Sequence, residues 1–196
     1  MNAQSLTRSD LLGLEQYARE RAAIRTRIIA HKKDRTVHIG PNATWVFEDR
    51  ETIRYQIQEM LRAERIFEEQ GIQDELDAYN PLIPDGMNLK VTFLLEFPDE
   101  NERRAALTKL KGIERRCWVQ VGGCQRVNAI ADEDLERENE EKTSSVHFLR
   151  FELSSEMCSK LKSGASLSVG IDHAHYSHDV SPLPQQVRDS LAADIL

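Results

Sequence analysis

Three cysteines in 196 residues, Cys117, Cys124 and Cys158, are too few and too unevenly spaced for a disulfide framework. Without a Cys-x-x-Cys pair they offer no thiolate zinc site either. An excess of positive charge is also missing. Against 33 Asp and Glu stand 26 Lys and Arg, a formal charge of −7, which argues against a nucleic-acid partner because phosphate binding needs concentrated cations. The basic run His31-Lys32-Lys33-Asp34-Arg35 is the one counter-indication, and it reads as a solvated helix end that complements the dipole. No apolar stretch approaches the roughly 18 residues of a membrane span, and no charged-then-apolar leader opens the chain. A Walker motif, a dinucleotide fingerprint and a Gly-x-Ser-x-Gly elbow are absent as well, since Gly122-Gly123 is too little and Ser144, Ser145 and His147 lack the flanking glycines. These absences leave a reduced, cytoplasmic protein as the expectation.

What is present fits one globular domain, 40% hydrophobic and 30% charged. The fold class expected is α+β: a helical half over about 1–80, a sheet-rich half over about 87–172, and a C-terminal tail over 173–196. A first helix is expected after Ser9, with Leu11, Leu14, Ala18, Ala22 and Ile29 on one face and Arg25 inside that stripe. Thr36 to Ile39 and Thr44 to Glu48 flank Gly40-Pro41-Asn42 as a hairpin. A second helix is expected from about Arg50 to Gln70, stopped by Gly71, its stripe Ile53, Ile57, Met60, Leu61 and Phe67. Glu64 falls in the middle of that stripe and Gln56 at its edge. A carboxylate on a burying face is costly unless paired, so Arg25–Glu64 is expected as an ion pair between the helices. The functional alternative makes Glu64, with Glu59 and Gln56, a metal ligand or proton acceptor.

Beyond the turn-rich Asn80 to Gly86, the pattern changes to period two, with Leu89, Val91, Phe93, Leu95 and Phe97 on one face. A helix capped by Asp99, strands at Cys117 to Val121 and Val127 to Ala131, an acidic segment over 132–141 read as solvated, a strand at Val146 to Leu153, a helix at Ser154 to Lys162 and a strand at Ala165 to Ile171 follow. Two strand–helix–strand units in succession predict a mixed sheet, either a ferredoxin-like sandwich or a small barrel.

The densest chemistry is Asp172-His-Ala-His-Tyr-Ser-His-Asp179, which gathers His173, His175 and His178. Extended backbone would turn His173 and His175 to one side, and His147 on the neighbouring strand would add a nitrogen, a mixed set suited to iron, manganese or zinc. The plain alternative is a histidine-rich surface with His147 a satisfied core residue.

Segments along the chain resemble the uncharacterised bacterial domain-of-unknown-function family 3501. They include Leu6 to Leu12, His31-Lys32-Lys33, Phe47-Glu48-Asp49-Arg50, Tyr55 to Arg62, Tyr79 to Pro84, Gln120 to Gly123, Lys142-Thr143-Ser144, His147 to Leu153 and Asp172-His173. The resemblance covers His147 and His173 but not His175 or His178. It implies a redox or oxidative-stress setting beside rubrerythrin-like and iron–sulfur proteins. The leading expectation is therefore a redox accessory protein binding a transition metal or relaying protons through His173 and His147, with His31, Glu59 and Glu64 as outside candidates. The alternatives are a non-enzymatic protein–protein scaffold, or a small-molecule enzyme using Arg residues and a histidine base.

Overall fold

The computed structural model describes residues 5–133 and 142–196. A short 3-10 turn, Arg8–Asp10, precedes the first helix, α1, Leu14–Lys33. The helix does not begin after Ser9, because the Asp10 carboxylate turns back to the Thr7 N–H (2.8 Å) and across to Arg50 (2.6 Å) rather than leading a longer helix. Its inward face carries buried Tyr17 and Ile28, with half-buried Arg21, Ile24 and His31 between and beyond them. Ala18, Ala22, Arg25 and Ile29 face solvent, the reverse of expectation. Burying a tyrosine and an isoleucine removes far more apolar area than burying two alanines, and that difference sets the helix rotation.

The hairpin is as expected: β1, Thr36–Ile39, and β2, Ala43–Phe47, pair antiparallel. Helix α2, Arg50–Glu64, is capped by Asp49, which accepts from the Thr52 N–H (2.8 Å) while Thr52 Oγ1 accepts from the Asp49 N–H (2.9 Å). Ile53, Ile57 and Leu61 are buried as the stripe predicts, but Phe67 is exposed. The helix stops at Glu64 rather than near Gln70. Arg65 takes a left-handed conformation (φ 56°), the Ile66 N–H closes on the Leu61 carbonyl (2.9 Å), and a separate helix α3 runs Glu69–Tyr79. Gly71 lies inside α3, where a Cβ would come within 2.8 Å of Ile66, so glycine there lets the corner fold tightly. Leu6, Leu11, Ile53, Ile57, Leu61, Ile72, Leu76 and Ile83 close a small core between these elements.

The remaining strands are β3 (Asn88–Leu95), β4 (Cys117–Val121), β5 (Val127–Asn128), β6 (Ile130–Ala131), β7 (Val146–Glu152), β8 (Leu167–His173) and β9 (Tyr176–Val180). They form two wholly antiparallel sheets, ordered β1-β2-β3-β7-β6 and β5-β4-β8-β9, neither closed into a barrel. Helices α4 (Glu100–Lys109), α5 (Ser155–Lys162) and α6 (Gln185–Ala192) complete the chain. Both strand–helix–strand units exist, but each leaves one sheet and enters the other: β3-α4-β4 and β7-α5-β8. A ferredoxin-like unit needs parallel strands of one sheet joined by the crossover, which is why the mixed-sheet expectation fails.

The alternation read from Leu89 to Leu95 holds. These residues, with Trp45, Phe47 and Phe151, face Val119, Val169 and Ile171 of the other sheet across one large core. The expected tail is structured, being the end of β8, then β9 and α6. The Tyr176 hydroxyl donates to Ile39 O (2.7 Å) and accepts from the Asn42 and Ala43 N–H groups (2.9 and 3.0 Å), seating β9 on the first hairpin. Of the acidic segment, 134–141 lies outside the described residues. Among the described residues, no helix is long and apolar enough to cross a membrane.

Candidate functional site

The four leading histidines are not brought to one point. His147, in β7, is fully buried against Phe93, and both its nitrogens are occupied. Nδ1 lies 2.6 Å from Asp132 Oδ2, and Nε2 lies 3.1 Å from both Thr143 Oγ1 and the Ser144 carbonyl. His173, at the end of β8, donates from Nε2 to the Lys111 carbonyl (3.0 Å) and accepts at Nδ1 from the His175 N–H (3.2 Å), so its tautomer is fixed inside the β8–β9 turn. His175 stacks loosely on it, with ring centroids 5.8 Å apart, whereas His178 packs edge-on against Tyr176 beside the β1–β2 turn. His147 and His173 belong to different sheets because β7-α5-β8 crosses between them. Among the described residues no three His, Cys, Asp or Glu side chains are grouped to hold a metal.

Arg25 and Glu64 are both exposed and form no ion pair; the helices are joined instead through Arg21 and Glu59. Arg21 grips Glu59 with two bonds (2.8 and 2.7 Å), and Tyr17 donates to the same carboxylate (2.7 Å). The Arg21 guanidinium holds Glu59 down to about 2, while burial and Glu59 push the Tyr17 hydroxyl up. A carboxylate so held is a clamp rather than a proton acceptor. Several groups lining the hollow of about 300 Å³ between α1 and α2 are similarly engaged: Tyr17 with Glu59, Arg54 with Glu51, and Gln58 with the Leu12 backbone.

His31, the last outside candidate, belongs to a buried ionic cluster that the sequence did not show. Its Nε2 lies 2.6 Å from Asp49 Oδ2. Arg35, 1% exposed, donates to the Phe47 and Glu48 carbonyls (2.9 and 3.1 Å), lies 3.3 Å from Asp49, bonds Ser190 Oγ (3.2 Å) and pairs with Asp194. Burial raises Asp49, but Arg35, the Thr52 N–H and His31 outweigh it and leave the carboxyl below its usual value. For Asp194 burial wins over Arg35, and its carboxyl is raised. The cluster ties α1, the α2 cap and the C-terminal residues together, and every donor of Arg35 is employed.

The outer face of β3 and β7 is built differently. Val46, Thr92, Leu94, Val146 and Phe148 point away from the large core and stay half-buried. Lys32, Ile53, Gln56, Tyr79 and Leu82 overhang them, enclosing about 260 Å³, with Glu48 fixed at one side by Thr52 and Thr92. Gln56 is the one sequence candidate that lines this space. A second chamber of about 460 Å³ adjoins it, since Leu82 and Phe148 line both. Its charged groups include Asp85, Lys90, Glu133, Arg150 and Glu152. Arg150 is spent: Glu133 grips it with two bonds of 2.7 Å, and Glu152 meets it from the other side. The Lys90 side chain, directly opposite Arg150 in the β3–β7 register, has no hydrogen bond or ion pair among the described residues. Burial, then the neighbouring Arg150 cation, pushes the Lys90 amine below its ordinary value, against the opposing pull of Glu133, Asp85 and Glu152. No local spacing marked Lys90, because a polar residue on the outer face of an alternating strand reads as solvated.

Two antiparallel sheets under a partial helical roof, with a groove on the outer sheet face that runs from apolar side chains to a charged end at Lys90, define an α+β protein with a ligand-sized concavity there. The chain belongs to the DUF3501 family of proteins of unknown function, whose model matches residues 5–195. It is similar to a crystal structure, at 1.90 Å resolution, of a novel protein of unknown function from Burkholderia pseudomallei K96243. That chain is 55% identical, with TM-score 0.94, over 98% of this chain and 100% of the other. No curated protein matches. The resembling segments at 47–50, 55–62, 79–84 and 147–153 all contribute residues to the groove.

Proposed function

We propose that this protein binds a small molecule in the groove over β3 and β7, a molecule with an apolar body and one acceptor end, a carboxylate or carbonyl, that reaches Lys90. This takes the small-molecule alternative over the metal-bearing redox accessory, because His147 and His173 lie in different sheets with their ring nitrogens engaged, and no three-donor group forms among the described residues. It also replaces the arginines and histidine base of that alternative with a lysine. One observation carries the proposal: an amine half-withdrawn from water, with no hydrogen bond or ion pair among the described residues, in a chamber that joins Leu82 and Phe148 to a charged rim. Such a group is costly unless something completes it, and an acceptor on a ligand would do so. The chamber beside Phe148 supplies the apolar contact, and Gln56 and Glu48 supply polar contacts at the far end.

Nuclear magnetic resonance titration with hexanoate, and with hexylamine as the opposite charge, tests the proposal. Hexanoate is expected to move the amide signals of Leu82, Lys90, Thr92 and Phe148, hexylamine to move them far less, and Lys90→Met to weaken hexanoate by about tenfold, the worth of one charge-assisted bond. Equal responses to both probes, or none at millimolar concentration, would reject it.

A further inference from the structure

The groove's acceptor end is open to a more specific reading, which rests on the binding proposal above. We propose that Lys90 condenses with the carbonyl group of an aldehyde or ketone seated in the groove and forms an imine. Three features of the site support this. The amine is free, since no described side chain or carbonyl takes its protons. Its burial, and the Arg150 cation opposite it, disfavour the charged form of Lys90 by more than the Glu133, Asp85 and Glu152 carboxylates favour it. It opens on about 460 Å³ shared with Phe148 and Leu82, space for an alkyl or aryl substituent on the carbonyl carbon. The lowered amine agrees with that geometry. By contrast Lys160, salt-bridged to Glu156 (2.7 Å), is held up.

The chemistry balances with no further reagent. The Lys90 Nζ lone pair attacks the carbonyl carbon, forming the C–N bond, the carbonyl π pair moves to oxygen, and one amine proton passes from nitrogen to that oxygen. The hydroxyl then leaves as water with the second amine proton, and the nitrogen lone pair closes C=N. Amine plus carbonyl gives imine plus one water, and nothing is oxidised or reduced. A protonated imine restores the positive charge, and the Asp85, Glu133 and Glu152 carboxylates lining the chamber are placed to stabilise it.

The test uses the full chain with hexanal and sodium cyanoborohydride at neutral pH, followed by peptide mass spectrometry. Lys90 is expected to be trapped faster than the exposed Lys109 and Lys162, roughly tenfold for each unit by which its pKa is lowered, and the preference is expected to vanish in denaturant. Trapping at Lys90 no faster than at those lysines would overturn the imine. If hexanoate still binds the groove in that case, only the imine falls; if hexanoate also fails, the binding proposal falls with it. Lys90→Arg keeps the charge and has no amine to trap, so a folded Lys90→Arg protein whose total fast uptake of hexanal equals the wild type's would also overturn the assignment.

Discussion

Arg35 and Lys90 are both cations withdrawn from water, and they are finished in opposite ways. Arg35 meets Asp49, Asp194, Ser190 and two backbone carbonyls, so its desolvation is offset bond by bond. Among the described residues the Lys90 amine bonds none, its cross-strand neighbour carries the same sign, and Glu133, Asp85 and Glu152 act on it only through space. A completed polar cluster holds elements together, whereas an incomplete one stores a need that a ligand can meet. The lesson is that burial of charge does not by itself mark a functional site; burial without satisfaction does.

The sharpest way to break this contrast is to leave Arg35's partners stranded. Arg35→Met leaves Asp194 without its cation and Asp49 with only His31 and the Thr52 N–H, and is expected to cost about 3 kcal/mol or more, measured by urea unfolding. A loss below about 1 kcal/mol would mean that the cluster is solvated. Tyr176→Phe is next. It removes the acceptor of the Asn42 and Ala43 N–H groups and the donor to Ile39, with an expected loss of about 2 kcal/mol.

Glu59→Gln is expected to cost about 1 kcal/mol at neutral pH, discounted for the partial exposure of the Arg21–Glu59 pair. Its sign with pH is fixed by the lowered carboxyl. The stabilisation is complete above the unfolded value near 4.5 and disappears as pH falls towards about 2, so wild type and variant should converge in acid. Lys90→Met is the smallest in stability and the most telling, because it is expected to be neutral or to gain up to about 1 kcal/mol. The folded amine titrates below the unfolded value of 10.5, so its penalty is present at neutral pH and relieved as pH rises through the folded value towards 10.5. The variant's advantage should shrink over that window.

Sequence patterns carried much of the sheet half because its signal is local. Alternation from Leu89 to Leu95 places each side chain on its face, and the strand at Val146 follows the same rule. The helical half was harder. Apolar residues lie all round α1, so periodicity chose Ala18, Ala22 and Ile29 over Tyr17 and Ile28, and the Arg25–Glu64 pairing went with them. The clamp falls four residues back on α1 and five back on α2, at Arg21 and Glu59. Arg35 read as part of a solvated basic run because its partner Asp194 lies 159 positions away, beyond the reach of any local spacing. Lys90 was legible as an outward residue of a strand, but the roof over it depends on the α2–α3 corner at Arg65, a left-handed residue no motif announces. Cys117 and Cys158 are buried and Cys124 is partly exposed, as their strand, helix and turn positions indicate.

The most direct test is a titration of the lysine side-chain signals by carbon-detected magnetic resonance, with Lys90 assigned through Lys90→Arg. Lys90 should titrate clearly below the exposed lysines and move back up when hexanoate is added. A Lys90 signal that titrates with, or above, the exposed lysines would show an amine already satisfied and would contradict the groove as the functional site.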